Sequence, residues 1–322
     1  PAPLPSVTRD GNIDANSLTN TGSIYSNGKI SASADSLVNQ DKSSLAVSTF
    51  DIADKGSVTN TDSRLQLDQI NWQLTNFDNS KGQIITNGGI ALDAENGINN
   101  TKGVLASNGE IALKTKGDIN NNAGLVQSNS NLSTDSSRLN NNNGKLISQG
   151  VVTINSRGDI TNTKGEISSV KDTTITSKSL DNDSGQITAQ GSLTTNSDSV
   201  NNSGQIYGKT ETKITTTDTT SNSGLIGSGG DTSLTAGSLI QTDSGSLVAG
   251  MNADGKLAKN RANLKVTTSG NITSQGNHIA TGDVLLTGDN INLASSNTQG
   301  SRIKTAARKG LNTTKATITA TD

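Results

Sequence analysis

Apolar residues in this chain stand two apart, in short runs, and the runs recur. In GVLASNGEIALKTKGDINNNA, which opens at Gly103, Leu105 belongs to a first run. Ile111 and Leu113 alternate with Glu110, Ala112 and Lys114 in a second, and Ile119 opens a third. A period of two is that of a strand with one face buried. Gly and Asn separate the runs, where the chain must turn and a positive φ is easiest to adopt. None of the runs passes into helical spacing. Each unit therefore predicts about three strands of two to five residues joined by tight turns, too short to stand as a sheet alone.

The unit repeats. Its opening glycines are Gly82, Gly103, Gly124, Gly144, Gly165, Gly185 and Gly204, at intervals of 21, 21, 20, 21, 20 and 19 residues. A short strand that pairs with its counterpart in the next unit builds coil upon coil, an all-β solenoid or parallel β-helix. The reading gives about thirteen coils, each rising about 4.8 Å on the last. A column of asparagines supports the stacking. Asn20, Asn39, Asn60, Asn76, Asn100, Asn121, Asn141, Asn162, Asn182, Asn202 and Asn222 each follow a mostly apolar position by two places. Identical amides in register can hydrogen-bond along the stack. Asn100, Asn121, Asn141, Asn162, Asn182 and Asn202 are the expected structural ladder of the regular coils. Ile84, Leu105, Ile111, Leu113, Leu146, Ile154 and Ile167 are expected to face inward.

The repeat bends in places. Residues 1–12 hold all three prolines and no periodicity, and read as a linker; regular coils run over 13–249. Phe50, Trp72 and Phe77 cluster where the spacing tightens, filling a wider core or offering an aromatic contact, with Trp72 the candidate. The Thr-rich stretch 210–223 puts Thr212 and Thr220 at normally apolar positions. After Val248 the theme breaks into MNADGKLAKNRAN and resumes at Leu264. Residues 250–262 thus read as an inserted loop, with coils continuing over 263–296, then a basic, irregular segment and the start of a further coil over 297–322. Insertions in solenoids map to one face, often the binding face. Lys256, Lys259 and Arg261 make this loop the expected contact for an anionic sugar or an acidic protein. With only Met251 and Leu257 large and apolar, it is expected to add little to the core.

Composition changes this picture little. Apolar residues make up 29% of the 322, which by itself leans towards disorder. A thin solenoid needs few inward residues, so the repeat overrides that leaning. Net charge is −2, giving no global attraction to nucleic acid. Residues 250–322 nevertheless carry nine Lys/Arg against four Asp. Cysteine is absent, which removes disulfides and thiolate metal sites and suits a chain that crosses a membrane unfolded. The one histidine, His278, reads as a partly buried core residue rather than a catalytic or metal-binding one. GSGGDTSL (227–234) is faintly like a calcium-binding nonapeptide, but it occurs once. Acidic residues are scattered over turns with no recurring pair. No catalytic residue, cofactor or metal is expected.

GQIITNGGIALDAENGINNTK and GKLISQGVVTINSRGDITNTK resemble the haemagglutinin repeat of filamentous haemagglutinin exoproteins, over roughly residues 13–296. The resemblance implies a right-handed parallel β-helix. It implies export through an outer-membrane partner transporter and display as a long filament on a Gram-negative cell. It implies adhesion to a host or neighbouring-cell receptor or glycan, or carriage of a toxin. The expected function is therefore a non-catalytic structural and adhesive shaft segment, a monomeric rod of a secreted surface filament. One alternative is a receptor-binding segment of a contact-dependent growth-inhibition filament. The other is a β-helical polysaccharide-processing enzyme, which a groove holding nearby carboxylates would favour.

Overall fold

The computed structural model describes residues 10–25 and 29–322. They form a right-handed parallel β-solenoid of about fifteen turns. Contacts divide the chain into two compact units, Pro1–Ser137 and Arg138–Asp322.

In the first unit a typical coil comprises strands Val104–Ser107, Ile111–Thr115 and Ile119–Asn120. Every strand pairs in parallel with its counterpart one coil away. Leu105 lies between Ile84 and Val126, and Ile111 between Ile90 and Leu132. Parallel pairing in register places like on like, so the inward residues form aliphatic columns. In the second unit a coil comprises Gln186–Ala189, Ser192–Ser197 and Ser199–Asn202, with Ile187 between Ile167 and Ile206. All seven residues expected to face inward are buried.

Three features depart from the sequence expectation. There are about fifteen turns rather than thirteen, because residues 297–322 continue the stack. Residues 297–322 are mostly strand: Asn297–Gly300, Ile303–Asn312 and Thr317–Ala320 each pair in parallel with the coil before, the second with a register shift between Gly288 and Asn290 of its partner strand. Their basic side chains reach back one coil, Arg302 to Asp283 (3.0 Å) and Arg308 to Asp289 (2.7 Å). The linker expected over 1–12 falls outside the described residues up to position 9, and Gly11–Asp14 is already a strand.

The turns assign φ and space differently from expectation. The left-handed conformation falls on the residue before the opening glycine: Lys81, Lys102 and Ala123 in the first unit, with φ of 57°, 55° and 53°. The glycine itself answers to crowding. A side-chain carbon on Gly103 would collide with the Asn79 carbonyl and lie 2.6 Å from Asn100 Oδ1.

Candidate functional site

The buried asparagines form the column the period implied. In the first unit Asn79 Nδ2 donates to Asn100 Oδ1 and Asn100 Nδ2 to Asn121 Oδ1, both at 2.8 Å. In the second, Asn141 donates to Asn162 (2.7 Å), Asn162 to Asn182 (2.8 Å), Asn182 to Asn202 (2.8 Å) and Asn202 to Asn222 (2.9 Å). Each amide also reaches a backbone carbonyl; Asn100 Nδ2 donates to Leu125 O at 3.1 Å. Both amide hydrogens thus find acceptors, which permits full burial of the group. Asn76 is not a member. The coil 70–81 lacks one residue at its corner, so Ile70–Asp78 runs through as a single strand, Phe77 takes the inward place, and Asn79 enters the column. Asn76 is exposed and accepts from Asn96.

Past Asn222 the column changes chemistry. Asn222 donates to Gln241 Oε1 (2.8 Å), and Gln241 Nε2 to Ser274 Oγ (3.1 Å). Ser274 Oγ lies 2.7 Å from His278 Nε2, whose Nδ1 lies 2.9 Å from Thr298 Oγ1. His278 is fully buried, more so than the sequence implied, and burial lowers its pKa to about 4. Thr212 and Thr220, in the Thr-rich coil, are buried with their hydroxyls bonded; Thr212 Oγ1 donates to Gly227 O at 2.8 Å.

The aromatic contact is corrected. Trp72 is 2% exposed and its Nε1 donates to Phe50 O at 2.8 Å, so it fills the core beside Phe50 and offers no surface to a partner. Three large rings fit there because the through-running strands Thr49–Asn60 and Ile70–Asp78 replace a tight corner.

The insertion is a clipped hairpin. Met251 and Leu257 form an antiparallel bridge, and Ala258 N donates to Gly250 O at 2.7 Å. Gly250 has φ of +79° and no room for a side chain beside Thr281. Bonds fasten the hairpin to the neighbouring coils; among them Tyr207 OH donates to Met251 O (2.7 Å), Met251 N to Ser228 O (2.8 Å) and Asn260 Nδ2 to Gly229 O (3.0 Å). Asp231 Oδ1 accepts from Asn263 N (2.8 Å) where the chain rejoins the stack, so that carboxylate of the nonapeptide-like stretch has a structural task. Met251 packs with Tyr207 and Val248 in a small buried cluster, more than the little the loop was expected to add to the core.

The effect shows along one outward column. Thr188, Tyr207, Gly227 and Val248 pair successively on the outer face. Thr188 is partly exposed, whereas the hairpin covers the other three. Burial, then the charge of Asp254, raises the Tyr207 phenol above its ordinary pKa. Where the cover stops, a groove of about 740 Å³ opens. Thr188, Gln190 and Gln205 form its coil side, with Lys209 beside them, and Asn252, Ala258 and Lys259 its hairpin side.

Of the three basic residues expected to meet a partner, only Lys259 lines this groove. Arg261 is engaged by Asp283 (2.9 Å) and Asp322 (3.3 Å). Lys256 is exposed on the hairpin tip side, away from the lining. Lys209, Gln190 and Gln205 were missed, since polar residues at those places fit the outer face of any coil. The only sequence signal was the length of the insertion far downstream.

The model of the haemagglutinin repeat family matches residues 6–71, 56–164, 165–224 and 205–277. No curated protein and no solved structure matches the chain.

Proposed function

The chain belongs to the haemagglutinin-repeat family, and from that premise we propose that it is a shaft segment of a secreted, surface-displayed filament. Its work is structural and adhesive and involves no catalysis. The family points to an extracellular or cell-surface setting. Export through an outer-membrane partner transporter of a Gram-negative cell belongs to the same reading. The observation that carries it is the repeated coil with a saturated amide column, which extends by adding like units and needs no separate core. The haemagglutinin-repeat family is typically non-enzymatic, which supports the non-catalytic reading over polysaccharide cleavage. The hairpin favours one second reading, a receptor-binding segment of a contact-dependent growth-inhibition filament, since it alone breaks the regular outer face of its unit.

Antibody raised against this chain should label intact producing cells, and external protease should remove the label. Labelling only after lysis would refute surface display.

A further inference from the structure

We propose that the groove between the 250–263 hairpin and the coils at 186–209 is a binding site for a carboxylate-bearing oligosaccharide. The inference goes beyond the shaft reading and does not depend on where the chain is displayed.

The first argument is construction. A decorative loop would rest on the surface through its own turns. This one is held to the coils by Tyr207 on Met251 O, by Met251 N on Ser228 O and by Asn260 on Gly229 O, so the wall it presents is fixed before any ligand arrives. Pre-organisation of this kind lowers the ordering cost of binding. The volume of about 740 Å³ falls in the range of small-ligand sites.

The second argument is charge. Lys209 and Lys259 approach from opposite walls, and neither forms an ion pair among the described residues. Four cations elsewhere in this unit, Arg261, Arg302, Arg308 and Lys309, face Asp283 or Asp289. Asp254, the acid of the hairpin, accepts from Lys256 N at 2.9 Å within its own turn and is not in the lining, though its charge reaches Tyr207. Two exposed ammonium groups across a groove without a lining carboxylate suit an anion carried on a ligand.

The third argument is the remaining polar chemistry. Gln190, Gln205 and Asn252 each offer a donor and an acceptor on one side chain, and Thr188 adds a hydroxyl. Sugar hydroxyls both donate and accept, so amides match them. A peptide that adds as a strand would need a free strand edge for its main chain. The strands here offer none, because Gln205–Gly208 is paired on both sides, with Gln186–Ala189 and Leu225–Ser228. The small residues Ala253, Ala258 and Gly229 leave space for rings.

The test is calorimetric titration of the purified chain with trigalacturonate, sialyllactose, their neutral counterparts galactotriose and lactose, and oligoglutamate. At least one acidic sugar should bind, its neutral counterpart should bind at least tenfold more weakly, and added salt should weaken the acidic complex. The double variant K209Q/K259Q should lose at least tenfold in affinity with an unchanged melting curve, since both side chains are exposed. K256Q, outside the groove, should bind as the parent does. Failure of both acidic sugars to bind overturns the proposal. So does equal binding of the neutral sugars, or an equal loss in K256Q. Tighter binding of oligoglutamate would assign the groove to an acidic peptide instead. None of these outcomes bears on surface labelling, so this proposal and the shaft reading fail separately.

Discussion

At the scale of single residues, the turn between coils separates two demands that glycine usually meets together. Lys102 carries the left-handed φ of 55°, and Gly103 carries the tight approach to Asn79 and Asn100. A left-handed non-glycine residue costs about 1–2 kcal/mol, whereas a methyl group pressed against a fixed backbone carbonyl has nowhere to go. Gly103→Ala should therefore lower stability by about 3 kcal/mol, while Lys102→Gly should be neutral or mildly stabilising, by up to about 1 kcal/mol. Urea midpoints of the two variants check this, and equal losses would mean that conformation, not crowding, selects the glycine. The ladder makes a parallel contrast. Asn162 is fully buried between Asn141 and Asn182, so Asn162→Ala strands their amides and should cost about 1–3 kcal/mol. Asn129 also bonds a neighbour, Asn108, at 2.8 Å, but in the open; water replaces that bond, and Asn129→Ala should change the midpoint little.

At the scale of elements, the hairpin and the polar column each respond to a specific insult. Replacing residues 251–262 by a short Asn-Gly turn uncovers Tyr207 and Val248, which the hairpin now buries. Re-exposing two such side chains should cost about 2–5 kcal/mol, read as a lower melting temperature of the deletion variant. An unchanged melt would return the hairpin to decoration. His278 introduces a pH response. The folded state holds the imidazole neutral, with pKa about 4 against the ordinary 6.5, so the unfolded chain takes up the proton first as pH falls. Stability from this group is complete above pH 6.5, declines between 6.5 and about 4, and is level below. The shift corresponds to about 3 kcal/mol. His278→Leu, which copies Leu247 one coil earlier, should flatten the decline between pH 6.5 and 4.5 in urea titrations. A slope equal to the parent's would place the pH response elsewhere.

At the scale of the whole molecule, what the sequence disclosed follows from distance along the chain. The coil is a local object: alternation within Ile111–Thr115 and recurrence at the next unit are both visible in a few dozen residues, and so is the asparagine register. The Asn76 slip came from one residue missing at a corner, which the two-place rule did not catch because Leu74 and Phe77 both satisfy it. The groove was illegible for a different reason. Tyr207 and Lys209 belong to one coil and Lys259 to a hairpin two coils on, and only the fold sets them across a gap. The same locality governs how a lesion spreads. Each strand in these units pairs only with the coils before and after it, so stability is close to a sum of coil terms and neighbour interfaces. Ile214 is buried, paired with Thr195 and Leu234 in the adjoining coils. Ile214→Asp places an unpaired charge there, which the stack relieves by opening nearby coils rather than all of them. Hydrogen exchange followed by mass spectrometry should show faster exchange over 186–241. The strand Val284–Asn292, farther along the same unit, should keep the parent's protection. Uniformly faster exchange across 138–322 would show one cooperative block in place of a chain of neighbours.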